Sequence, residues 1–205
     1  MNYFIEACCP SLESARHAVL SGAGRIELCE RLEVGGVTPS VQLIWESLQV
    51  AGSVPVNVLI RPREGDFMYS EEEVSRMLES IRQCRELGVN GVVVGALKAD
   101  GSVDRETLQR LMAAAGPLSV TFHRAFDEAR DLKAALEDII GLGALRILTS
   151  GGKATAYEGR FVLRELVKQA AGRIVIMPGC GINPGNIGEI AAVTGASEYH
   201  GSRIL

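Results

Sequence analysis

The sequence predicts an α/β fold, a (β/α)8 barrel of the TIM type, formed as one domain over residues 1–205. Three observations carry that reading. Eight short β-rich runs alternate with longer helical ones, the pattern of a parallel sheet, and eight strands close such a barrel. Glycines stand just ahead of most strands, at Gly22 and Gly24, Gly88, Gly116, Gly143, Gly172 and Gly195, where a residue past a helix end supplies the left-handed cap. Several strands also alternate polar with apolar residues. The competing architecture, an open doubly wound sheet, buries apolar side chains on both strand faces, whereas a barrel can turn a polar set into its lumen.

The elements follow in order. The first strand, Tyr3 to Cys8, carries Glu6 and Cys8 on one face and Ile5 on the other, because residues two apart share a face. A bulge would bring Cys9 to the lumen in place of Cys8, so the choice between them stays open. A helix from Ser11 to Ser21 leads to the second strand, Arg25 to Cys29, with Glu27 and Cys29 opposite Ile26. The helix from Ser40 to Val50 is expected to hold Trp45 in the core beneath it. The third strand, Pro55 to Arg61, sets Asn57 and Arg61 against Val56, Val58 and Ile60.

Ser70 and Glu73 form a capping box for a helix that runs to Leu87. Its Glu71-Glu72-Glu73 run complements the helix dipole, and Cys84 within it is read as core. Gly91 to Gly95 is the fourth strand, and Asp104 caps a helix to Ala114. Leu118 to His123 carries Thr121 and His123 opposite Val120 and Phe122. The helix Asp131 to Ile140, the strand Leu145 to Thr149, the helix Tyr157 to Ala171 and the strand Arg173 to Met177 come next. Asn183-Pro184 signals the start of the helix that continues through Asn186 to Thr194. Glu198 to His200 is the eighth strand. The chain stops at Leu205 with no eighth helix, so the outer faces of the first and last strands are expected to lack a cover.

Composition narrows the function. Hydrophobic residues make up 47% of the chain, ample for a full core. A net charge of −4 argues against general nucleic-acid binding. No apolar run reaches the roughly 18 residues of a spanning helix, and no basic-then-apolar segment opens the chain. The five cysteines are Cys8, Cys9, Cys29, Cys84 and Cys180, with no CxxC pair. An odd count without a signal segment reads as reduced thiols in the cytoplasm.

Barrels of this type place their sites at the C-terminal strand ends. Those ends gather Glu6, Cys8, Glu27, Cys29, Arg61, Arg63, Asp66, Thr121, His123, Arg124, Asp127, Cys180 and His200. Buried charges need partners, so Glu6 and Glu27 are expected to meet Arg61 or His123. A structural ion-pair layer is the plainer reading of the lower members. The thiols of Cys8 and Cys29 suit a soft ion such as Cu(I), or they are simply packed. Two glycine turns, Ser150-Gly151-Gly152-Lys153 and Pro178-Gly179-Cys180-Gly181, could hold an anion on their backbone amides.

The motifs Glu6-Ala7-Cys8, Arg25-Ile26-Glu27-Leu28-Cys29, Gly35-Gly36-Val37-Thr38-Pro39-Ser40, IRPREGDF over residues 60–67, TFHRAFD over residues 121–127 and Leu148-Thr149-Ser150-Gly151-Gly152 resemble the CutC copper homeostasis family. The resemblance implies a TIM-type barrel, cytoplasmic and oligomeric, with a dimer expected. It also implies Cu(I) held by Cys8 and Cys29. The alternative is a barrel lyase, isomerase or hydrolase for a small phosphorylated or carboxylated compound. Arg61, Arg63, Arg124, Ser150, Gly151, Gly179 and Gly181 would then hold the anion, while His123 or Glu27 moves a proton. A third reading is a scaffold that docks a partner on the uncovered strands.

Overall fold

The computed structural model describes residues 3–205. Its strands are β1 (Phe4–Cys9), β2 (Arg25–Leu28), β3 (Val56–Leu59), β4 (Gly91–Val94), β5 (Ser119–Phe122), β6 (Arg146–Thr149), β7 (Val175–Pro178) and β8 (Glu198–Gly201). Between them run α1 (Leu12–Leu20), α2 (Val41–Ala51), α3 (Glu71–Leu87), α4 (Arg105–Ala115), α5 (Leu132–Leu142), α6 (Arg160–Ala170) and α7 (Ile187–Thr194). All strand pairs are parallel, in the spatial order β7-β6-β5-β4-β3-β2-β1-β8. The barrel is nearly closed: β7 and β8 face each other with no hydrogen-bonded ladder among the described residues. The helices start where expected because Ser11, Ser40, Ser70, Asp104 and Asp131 each accept a first-turn amide, a cap that contributes about 1 kcal/mol.

The pleat sorts the strands into two layers. Ile26, Leu28, Val56, Val58, Val92, Val94, Val120, Phe122, Ile147, Ile176 and Tyr199 pack outward under the helices as one large core. Cys9 belongs to that outer core, while Cys8 joins Cys29, Leu59 and Val93 in a small inner cluster. β1 therefore runs without a bulge at its end, and Cys8 is the thiol that faces the lumen.

Two expectations change. Trp45 is 55% exposed rather than core, because α2 turns Ile44, Ser47 and Ala51 inward and leaves Trp45 on the flank. The outer face of β8 is covered where Tyr199 sits. That ring is fully buried, lies edge-on to Tyr3 at 5.5 Å between centroids, and donates its hydroxyl to Ala196 O. Ile204 folds back against Gly201.

Candidate functional site

The lumen floor is an ion-pair network. Continuing the period-two count backwards along β2 places Arg25 on the face of Glu27 and Cys29. Its Nε donates to Glu6, and its terminal nitrogen to Glu198 at 2.5 Å. Arg146 Nε reaches the same Glu198 oxygen at 2.8 Å. Asn57 and His200 complete the shell of Glu6, at 3.3 and 2.8 Å. Burial alone would raise the Glu6 pKa, but His200 and Arg25 outweigh it and hold it at about 2. Phe4, 39% exposed at the base, lies 4.9 Å beneath the Arg25 guanidinium. The sequence led us to pair Glu6 and Glu27 with Arg61 or His123. Glu6 instead takes Arg25 and His200.

Glu27 has no such shell. It is 4% exposed, and its Oε2 has no hydrogen-bond partner among the described residues. Desolvation lifts its pKa to about 7, with His200 opposing and Glu6 adding to the shift. Register sets Cys8 beside Glu27 across the β1–β2 pair. Cys8 Sγ lies 3.7 Å from Cys29 Sγ. Sharing a hydrogen bond with Cys29, together with burial, raises the Cys8 pKa well above the ordinary thiol range. The donor atoms of Cys8, Glu27 and His200 all lie within 4.8 Å of one another.

Above these groups opens a cavity of about 470 Å³, lined among others by Cys8, Glu27, Cys29, Arg61, His123 and His200. Arg61 acts as a clamp on its rim. Its guanidinium donates to Val34 O, Gly36 O and Gly65 O at 3.1, 3.0 and 2.7 Å and stacks on Phe67 at 4.8 Å. It thereby ties the loop after β2 to the loop after β3. Gly36 is left-handed, and a Cβ there would come within 2.8 Å of Leu59 and 3.3 Å of Cys29, so the loop can lie directly over the thiol. His123 accepts from Ala125 N through Nδ1 at 3.1 Å. Burial, then Arg61, pushes its pKa down to about 3. His123 is thus a neutral imidazole near pH 7, and its Nε2 has no hydrogen-bond partner among the described residues.

Most of the remaining predicted anion-binding groups are engaged within the protein. Arg63 does not line the cavity and donates to Glu73, Asp66 and the carbonyls of Glu64, Asp66 and Met68. Arg124 lines the cavity but bonds Asp127 and Ser150. Asp127 itself fills the turn after β6: Ser150 N and Gly152 N donate to its carboxylate at 3.0 and 2.9 Å, as does Thr149 Oγ1. Gly151 N turns to Thr149 Oγ1. Gly179 N bonds Thr149 O, and Gly181 offers its carbonyl to Asn186 while lining the cavity. The turn after β6, which could have held an external anion, holds an internal one. Asp127→Ala is expected to lose about 2–3 kcal/mol, the scale of hydrogen bonds to a charged group. Hydrogen exchange at Ser150 and Gly152 checks it; unchanged protection would show that the turn stands without Asp127.

Comparison with known proteins agrees with the fold. The CutC family model matches residues 3–205. The chain belongs to the CutC family. A family protein CutC of Parabacteroides distasonis is 50% identical over 202 residues, covering 98% of this chain and 83% of that protein. The crystal structure of CutC from Streptococcus agalactiae, described as a proposed copper homeostasis protein, superposes with a TM-score of 0.95 at 34% identity, over the whole of both chains. Dihydrodipicolinate synthase DapA-2 of Bacillus anthracis shares the barrel alone, with a TM-score of 0.69 at 14% identity, over 97% of this chain and 69% of that one. The CutC barrel contains no helix long and apolar enough to cross a membrane among the described residues.

Of the residues singled out from sequence, Cys8, Glu27, Cys29, Arg61, His123, Arg124, Asp127, Cys180, Gly181 and His200 converge on one cavity. Arg25 and Arg146 were missed, although strand parity places both on the inner face.

Proposed function

We propose that this protein binds and handles Cu(I) in the cytoplasm, at Cys8 and Cys29. The observation that carries the reading is the pair of inward thiols 3.7 Å apart at the base of the cavity. Metal–thiolate bonds of about 2.3 Å opened to a trigonal angle put two sulfurs about 4 Å apart. Soft thiolates favour Cu(I) over harder ions. The proposed role of the Streptococcus agalactiae protein supports it. Five free cysteines and no disulfide among the described residues fit a reducing compartment. The raised Cys8 pKa means that loading displaces a proton, so apparent affinity rises with pH.

The test is an anaerobic Cu(I) titration against a competing chelator. Cys8→Ser with Cys29→Ser is expected to weaken binding by more than the roughly 100-fold that outer-shell changes cause. Parent-like affinity in that variant would remove the site. A homodimer belongs to the same reading: Val41 and Trp45, one turn apart on α2, are 47% and 55% exposed and supply an apolar contact. Sedimentation of the parent and of Trp45→Glu reports on it.

A further inference from the structure

We propose that Cys8, Glu27 and His200 form a binding site for a zinc ion, with one coordination position open to the cavity. The inference goes beyond the copper reading. It shares Cys8 with the thiol pair and draws its other ligands from β2 and β8.

Three observations support it. The first is position. A donor atom from each of the three residues lies within 4.8 Å of the other two, and all three residues are buried and line the cavity. An ion at the centre of such a triangle sits at most roughly 2.8 Å from each donor, so zinc bonds of about 2.0–2.3 Å ask each side chain to close by less than about 1 Å. Cys29 Sγ, although 3.7 Å from Cys8 Sγ, stands outside the group. The second is a missing partner. Glu27 is 4% exposed, and its Oε2 has no hydrogen-bond partner among the described residues. The floor beneath it is already balanced, with Arg25 and Arg146 bonded to Glu6 and Glu198. A buried carboxylate without a counter-charge is costly, and a bound cation supplies one. The third is orientation. Glu6 Oε1 holds His200 Nδ1 at 2.8 Å, which leaves Nε2 for a ligand. A carboxylate behind a metal-ligating histidine fixes its tautomer and ring direction.

Donor chemistry names the ion. A thiolate, a carboxylate and an imidazole are the mixed set that zinc accepts, whereas Cu(I) prefers soft donors and leaves a carboxylate aside. Charge agrees: the thiolate and carboxylate carry two negative charges, which a divalent ion neutralises and a monovalent ion does not. Three protein ligands leave the fourth position of a tetrahedral ion to water or a substrate, the pattern of reactive rather than structural zinc sites.

Zn(II) titration of the full chain, reduced and copper-free, against a chromophoric chelator is expected to show one tight equivalent. X-ray absorption at the zinc edge is expected to show one sulfur, with nitrogen or oxygen as the other scatterers. Glu27→Gln is expected to weaken Zn(II) binding by more than the roughly 100-fold that outer-shell changes cause, and Cys29→Ser to bind it as tightly as the parent. Parent-like affinity in Glu27→Gln, a second sulfur at the zinc edge, or loss of Zn(II) from Cys29→Ser would each overturn the site. Glu27→Gln removes a buried, unpartnered charge, so misfolding does not account for its loss, and the absorption measurement needs no substitution. Every readout follows Zn(II), while the copper reading is decided by its own Cu(I) titration, so the two fail separately.

Discussion

Arg25→Met is expected to destabilise the metal-free protein by about 3–5 kcal/mol, the cost of removing one partner from a buried ion pair. Arg25 is 3% exposed and serves two carboxylates, those of Glu6 and Glu198. Methionine has a similar stem, so the loss comes from the charge it leaves unpaired rather than from a void. The effect is a large share of a typical folding free energy of about 5–15 kcal/mol. Urea denaturation measures it. Adding Glu6→Gln to Arg25→Met is expected to recover part of the loss, because the orphaned carboxylate goes with it. An unchanged midpoint in the single variant would show that the floor network contributes nothing.

Glu27→Gln is expected to do the opposite and stabilise the metal-free protein at pH 8. An acid whose folded pKa is raised costs stability once the unfolded chain ionises. For Glu27 the cost is absent well below 4.5, builds as pH rises from there, and is complete above its folded value of about 7. The difference corresponds to about 3 kcal/mol at most, or roughly 6–12 °C in Tm for a chain of this size. Thermal scans of both proteins at pH 8 and pH 5 read it, with the gap narrowing at the lower pH. A gap that widens towards acid would reverse the assignment of Glu27 as the strained group.

Much of the architecture was legible from local signals. The glycines ahead of the strands and the serine and aspartate caps are chemistry of single positions, and they sit where the chain turns. The lumen set followed from period-two counting, which picked out Cys8, Glu27 and Cys29. The same counting, carried one step earlier, contains Arg25. It was passed over because barrel chemistry is sought at the other end of the strands.

The partners of Glu6 were harder to read. His200 lies 194 positions away, and only the β8–β1 register puts it opposite Glu6. The occupied turn after β6 was not legible at all. Nothing local to Ser150-Gly151-Gly152 tells that Asp127, delivered by a separate 3-10 turn (Arg124–Glu128), fills it. Trp45 departs from the expected core position because helix periodicity fixes a face only to within a residue or so, and Ile44 takes the inward place.

The base of the lumen is filled by the salt bridges of Arg25 and Arg146 with Phe4 stacked beneath, and the cavity over the thiols is lined by the loops at the opposite end of the strands. That cavity is bordered by the Arg61-held loop, which gives this end of the barrel as the route to the thiols. On the copper reading proposed above, a donor and an acceptor would take turns at this one rim rather than dock at opposite ends, each visitor displacing the last.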